Sequence, residues 1–180
     1  MIAEAMTIEI EAQGALITRA MAGDELAFAR IVAAHHGHMA RIAYLICGSF
    51  DVAEEAEQAA WAKAWHRLGD VREPARLRPW LMSVAANEAR QLMRGQRRRT
   101  VRELVVGGPT STPGPDRAAL MDLAAALAKL DTRDRAIISL RYIAGLESAE
   151  IGRAVGMSAS GVRVRLSRLL GRLREELGDD

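Results

Sequence analysis

Leu146 to Arg174, LESAEIGRAVGMSASGVRVRLSRLLGRLR, decides the fold. Ser148 is positioned to cap a short helix that turns Ile151 and Val155 inward, and Gly156 supplies a turn residue tolerant of positive φ. Ser158 then caps a second helix. At roughly 100° per residue, Val162, Leu166, Leu169, Leu170, Leu173 and Leu177 fall on one apolar stripe; Arg165, Arg168 and Arg172 lie on the far side with Ser160 and Val164. One face is built to pack, and the other, with no acid from Ser158 to Arg174, is free to dock on a polyanion. This is the pattern of a helix-turn-helix, in which the start of the second helix approaches base edges while flanking arginines neutralise phosphates. On that reading Ser160, Gly161, Arg163 and Val164 lie near bases, and Arg165 and Arg168 nearer phosphate. The bland alternative is the arginine-rich solvated face of an ordinary bundle helix.

Working outward, GGPTSTPGP at Gly107 to Pro115 combines three prolines and three glycines with small polar residues, so neither helix nor strand runs through it. It divides the 180 residues into an N-terminal domain over 9–100, a flexible linker over 101–115 and a C-terminal domain over 116–178. Both domains are rich in Ala, Leu, Arg and Glu at helical spacing, with no sustained alternation of apolar and polar residues. The predicted fold is therefore all-α: two small helical bundles joined by the linker, the second containing the helix-turn-helix.

Helices are expected over Glu9 to Met21, from an Asp24 cap to Cys47 with Gly48 as terminator, from Asp51 to Leu68, and from Trp80 to Gln96; Gly69 to Pro79 reads as a loop. Beyond the linker, Asp116 caps a helix to Leu130, and Asp131 or Thr132 caps another to Ala144. The two tryptophans of the third segment, Trp61 and Trp65, share a face one turn apart, which is first of all a core-packing signal.

The formal net charge of +2 conceals segregation. Acids crowd Asp51 to Glu57, whereas Arg90, Arg94, Arg97, Arg98, Arg99 and Arg102 follow Glu88 with no acid between. A single cysteine, Cys47, excludes an internal disulfide and a zinc site of several thiolates. No segment has signal-peptide form or the roughly 18 uncharged apolar residues of a membrane span, so a soluble, cytoplasmic protein is expected.

Taken in order, several stretches resemble the extracytoplasmic-function sigma factors, specificity subunits of bacterial RNA polymerase. DELAFARIVAAHHGHMARIAYLICG is similar to the opening helix of their promoter-melting domain, EEAEQAAWAKAWHRL to their polymerase-clamp helix, and RPWLMSVAANEARQLMRGQRRR to the third conserved helix. LDTRDRAIISLRYIAGLESAEIGRAVGMSASGVRVRLSRLLGRLR resembles their upstream-element domain, so the likeness runs from about Asp24 to Leu177 apart from the linker. The resemblance implies core RNA polymerase contacts at Glu54, Glu55, Gln58 and Trp61, and capture of unpaired minus-10 bases by Val71, Arg72, Glu73, Arg76, Leu77 and Asn87. Asn87 suits that task because its amide donates and accepts at once. The helix-turn-helix residues would then read the minus-35 element. The resemblance further implies promoter DNA, core polymerase and a separate anti-sigma protein as partners, with no cofactor. This chain departs from the family pattern at Ala59, Pro74 and Gln91, where a glutamate, a small or acidic residue and an acid are usual.

Other readings have less to stand on. His35, His36 and His38 with Cys47 form the nearest thing to a metal cluster, yet they lack a carboxylate at ligand spacing. Phosphate-loop, nucleophile-elbow and zinc-helix motifs are missing from the sequence, so no catalytic or metal residues are assigned. The serious rival is a helix-turn-helix regulator that binds duplex DNA without replacing a sigma subunit. A helical adaptor with no DNA affinity is the third.

Overall fold

The computed structural model describes residues 2–99 and 115–177. Eight α-helices order the described residues: α1 (Ile2–Met21), α2 (Glu25–Cys47), α3 (Phe50–Arg67), α4 (Leu77–Arg99), α5 (Pro115–Leu127), α6 (Thr132–Ile138), α7 (Ser148–Val155) and α8 (Ala159–Leu177). No strand occurs among them. The expected linker lies almost wholly outside the described residues, as do the Arg97 to Arg99, Leu173 and Leu177 side chains.

Local chemistry sets most boundaries where the sequence puts them. The Asp24 carboxylate accepts the Ala27 amide at 3.0 Å and pairs with Arg19 at 2.6 Å. That amide, with the Arg19 hydrogen bond second, holds the Asp24 pKa below the usual carboxylate value. Gly48, at φ 75°, ends α2 in the left-handed region. Asp131 caps α6 by accepting the Asp134 amide at 2.8 Å.

Several boundaries differ, among them the ends of α4, which runs from Leu77 to Arg99 rather than from Trp80 to Gln96, and the end of α5, at Leu127 rather than Leu130. The first helix begins at Ile2 rather than Glu9. The cap of α7 is Glu147, not Ser148, because Glu147 and Glu150 exchange side-chain-to-amide bonds in a capping box. The helix expected to reach Ala144 instead widens after Ile138 into a π-turn, Ser139–Ile143, where the Ala144 amide bonds the Ser139 carbonyl at 3.1 Å.

α2 is the centre of the molecule. From Ile42 to Cys47 every side chain is buried, so this end of the helix needs cover all round. α1, α3 and α4 supply one part of it and α5 and α6 the rest. The two helical bundles expected from the sequence are both present, and they pack against each other. The buried residues form one continuous cluster that runs from Met39, Leu45 and Leu81 to Ile137, Leu140 and Val162. Each buried Leu or Ile contributes about 1.5–3 kcal/mol, so the shared seam is a substantial part of the fold. On α3 a small-residue face, Ala53, Ala56, Ala60 and Ala64, lets the helix lie close to its neighbours and leaves Glu54, Glu55 and Gln58 outward.

Candidate nucleic-acid interface

α7 and α8 meet through a turn that two glycines make possible. Gly156 has φ 71°, and at Gly152 a Cβ would come within 2.5 Å of the Met157 carbonyl oxygen. Ser158 starts α8 by accepting the Gly161 amide on its hydroxyl at 3.1 Å. Val162, Leu166 and Leu169 are buried, as the stripe requires. Along the open side Ser160, Arg163 and Arg168 are exposed, Gly161 is half-buried, and Val164 is 52% exposed. An apolar side chain held in water between cations has something to gain from a thymine methyl in the major groove.

Arg165 is placed differently from the other cations. Its Nε donates to Asp134 at 2.6 Å and its Nη2 to Asp134 and Asp131 at 2.9 and 3.0 Å. Hydrogen bonding to Asp134, and then the charge of that carboxylate, raises the Arg165 pKa. Arg165 was expected near phosphate; in the structure it clasps the start of α6 and so fixes α8 against it. From the sequence, Asp131 reads only as a candidate helix cap, and nothing local assigns Asp134 a partner on α8. Their three-residue spacing at the start of a helix, with arginines on the neighbouring one, was the available signal.

The second candidate feature is a cavity of about 570 Å³ whose lining includes Lys63, Arg72, Trp80, Ser83 and Asn87. Its size lies within the usual range of roughly 300–1,000 Å³ for small-molecule-sized sites. The segment ahead of α4 folds into two short 3-10 turns, Leu68–Asp70 and Pro74–Arg76. Val71 is buried but lines the cavity, and Arg72, Glu73 and Arg76 are exposed. Leu77 is only 1% exposed. As the first residue of α4 it anchors that helix start in the core, so the expected base contact at Leu77 is corrected to an internal one.

Charge in the cavity is partly spent. Lys63 pairs with Glu88 at 2.6 Å and Arg67 with Asp70 at 2.6 Å, while Arg72 and Arg153 have no acid partner among the described residues. Asn87 Oδ1 lies 3.4 Å from Arg90 Nη1. Burial, then Arg94 and Arg133, lowers the Arg90 pKa. Trp80, Lys63 and Arg153 were missed as cavity residues. A tryptophan directly after a proline at a helix start was the only hint of Trp80, and nothing local placed Arg153 there.

The departures from the family pattern have structural correlates. Pro74 packs against α1, where a Cβ at Gly14 would meet its Cγ at 3.2 Å. Gln91 donates to Glu88 at 3.4 Å, and Ala59 is exposed beside Gln58.

On α3, Glu54, Glu55 and Gln58 form an exposed polar face, with Gln58 donating to Glu54 at 3.4 Å. Trp61 is half-buried, edge-on to Phe28 at 5.9 Å between ring centroids, and its indole donates to the buried Glu57 at 3.1 Å. Glu57 also pairs with His36. Cys47 is buried against the Ala89 carbonyl, and burial pushes its thiol up to about 12. Among the described residues, no group of three His, Cys, Asp or Glu is gathered to hold a metal, and no helix is long and apolar enough to cross a membrane.

Comparison with known proteins gives the lineage. Residues 31–99 match the family model for sigma-70 region 2 and residues 120–173 that for sigma-70 region 4. The chain is 31% identical over 171 residues to the probable RNA polymerase sigma factor RfaY of Xanthomonas campestris pv. campestris, a match covering 89% of this chain and 43% of RfaY. It is 30% identical over 188 residues to the RNA polymerase sigma factor CnrH of Cupriavidus metallidurans, covering 94% of this chain and 96% of CnrH. The solved structure of CnrH with the cytosolic domain of CnrY superposes with a TM-score of 0.67, covering 92% of this chain and 96% of that one at 28% identity. The sigma factor RpoE of Bartonella quintana, solved with the anti-sigma factor NepR, shares the fold at a TM-score of 0.67 and 24% identity, over 85% and 98% of the two chains. The chain belongs to the RNA polymerase sigma factors of the sigma-70 family, in their extracytoplasmic-function class. It is an initiation factor that directs promoter-specific transcription.

Proposed function

We propose that the chain grips one promoter at two places. Ser160, Gly161, Arg163 and Val164 lie along the bases of the minus-35 major groove, with Arg168 on phosphate and Arg165 holding the helix rather than the DNA. The cavity of α4 takes unpaired minus-10 bases, with Asn87 on a base edge, Trp80 as a flat apolar surface, and Val71, Arg72, Glu73 and Arg76 along the strand. Glu54, Glu55, Gln58 and Trp61 face the clamp of core RNA polymerase. The chain performs no catalysis itself, acts in the cytoplasm, and has a separate anti-sigma protein as a further partner. That last point is supported by the solved complexes of CnrH and RpoE.

The observation that carries this reading is the cavity: an amide, an indole and the uncompensated Arg72 converge in a space large enough to admit an unpaired base, in the same chain as an open basic recognition helix. A stacked base in duplex is closed to such a cavity, whereas an unpaired one can enter and stack. The test is Asn87→Ala in a reconstituted holoenzyme. Binding to core polymerase and to minus-35 duplex should stay within about twofold, while permanganate reactivity of minus-10 thymines falls by roughly tenfold, as the loss of one base-edge contact implies. Open-complex formation at the original level would remove Asn87 from base reading.

A further inference from the structure

Among the acids of α3, Asp51, Glu54 and Glu55 are exposed, whereas Glu57 is 7% exposed and shares the buried stripe of Ala53, Ala60 and Ala64. A carboxylate taken out of water needs groups that donate to it. Its partners come from two helices: Glu57 Oε1 accepts the indole N–H of Trp61, one turn further along α3, at 3.1 Å, and the same oxygen meets Nδ1 of His36 on α2. Because a carboxylate only accepts, His36 Nδ1 carries the hydrogen, and Nε2 of this largely exposed ring is left to other partners. Trp61 is held from a second side as well. Its ring stands edge-on to Phe28 at 5.9 Å, and Phe28 in turn stands edge-on to Trp65 at 4.8 Å. The only polar atom of the indole is thereby engaged inside the protein, so what the half-buried ring offers outward is carbon.

We propose that Glu57 is a positioning residue for docking on core RNA polymerase: it fixes the Trp61 ring and the His36 imidazole as one rigid patch across α3 and α2, and so makes His36 a further contact together with Glu54, Glu55 and Gln58. The proposal rests on reading the outer face of α3 as the clamp-facing surface. Glu57 is too deeply placed to meet the partner and acts through the two rings. An aromatic side chain whose rotamer is set before docking has little ordering left to undergo in the complex, and the binding energy of its carbon surface is then realised in full. Without the carboxylate, both rings must be ordered by the polymerase itself. The bond from the indole to an ionised acceptor is of the stronger, charge-assisted kind, which suits it to this task.

The test pairs affinity for purified core RNA polymerase with the indole N–H resonances of the isotope-labelled full chain, that of Trp61 being assigned through Trp61→Phe. Trp61→Ala sets the scale and should weaken binding by about tenfold, as the loss of an aromatic anchor does. Glu57→Leu removes the acceptor with an apolar side chain of similar size, a replacement that buried ion pairs commonly tolerate. It should shift the Trp61 resonance and weaken polymerase binding about three- to tenfold at an undiminished melting temperature. Glu57→Gln keeps an oxygen for the indole and should recover the affinity to within about twofold. His36→Ala, a change at an exposed residue, should weaken binding about threefold and move the same resonance, since the carboxylate loses one of its two donors. A Glu57→Leu chain that does not fold leaves the decision to His36→Ala. If Trp61→Ala weakens binding while Glu57→Leu and His36→Ala match the unmodified chain, the clamp-facing surface stands and the positioning role is overturned. If Trp61→Ala itself binds as tightly as the unmodified chain, the clamp contact at Trp61 fails, and the proposal with it.

Discussion

Arg165→Ala separates a residue that holds the recognition helix from one that touches DNA. The Asp134 side chain is 3% exposed, and its two oxygens accept Arg165 at 2.6 and 2.9 Å, with Asp131 adding a third contact at 3.0 Å. Truncation strands the Asp134 carboxylate, with Arg172 at 3.7 Å as its remaining cation. Breaking a fully buried pair costs about 3–5 kcal/mol, but the Arg165 side chain is 40% exposed and solvent screens part of the loss. The expected destabilisation is about 1–3 kcal/mol, read by urea unfolding of the full chain. Anisotropy titrations of a minus-35 duplex at several KCl concentrations give the other half. Each neutralised phosphate contributes about 0.9 to the salt slope, so Arg168→Ala should lower the slope by about that much and Arg165→Ala should leave it nearly unchanged. Asp134→Asn should weaken the clasp and leave the slope level or steeper, since it releases a cation. An Arg165→Ala chain of full stability whose slope drops by about 0.9 would refute the clasp.

Other outcomes follow from single positions. Gly152→Ala puts a methyl 2.5 Å from the Met157 carbonyl oxygen; the strain of roughly 1–3 kcal/mol outweighs up to about 1 kcal/mol of helix propensity, so the melting temperature should fall. Gly171→Ala, on α8 with nothing within 4 Å of the new methyl, should raise it. For His35, burial first and then His38 and Arg78 hold the ring pKa below its ordinary value, and its Nδ1 is buried without a partner. The unfolded chain therefore binds the proton more readily. The stability tied to neutral His35 is present above about pH 6.5 and is lost as pH falls through the lower folded value. Melting between pH 7.5 and 5.5 should show that loss, and His35→Gln should remove part of it.

The helices were legible because their caps and stripes are local. Asp24, Gly48, Asp131, Gly156 and Ser158 act within a few residues of themselves, and Val162, Leu166 and Leu169 announce the buried side of α8 by period alone. What sequence could not give depends on partners far along the chain. Arg165 reads as a free cation until Asp134, 31 residues away, is folded beside it. Leu77 reads as a loop residue until the core closes over it. The shared core was hidden for the same reason: Ile42 to Cys47 is visibly apolar, but which helices cover it depends on α5 and α6, across the segment that reads as a linker. The π-turn at Ser139–Ile143 has no local signature beyond an otherwise ordinary helical pattern.

The most direct measurement is run-off transcription from a randomised promoter library, with purified core RNA polymerase and this chain. Selected templates should share two elements at fixed separation. The upstream one should lose its sequence preference in Arg163→Ala, and the downstream one should be dispensable when those bases are already unpaired. Transcripts that select only one element, or a downstream requirement that persists on pre-opened templates, would contradict a chain that reads duplex with α8 and single strand with the α4 cavity.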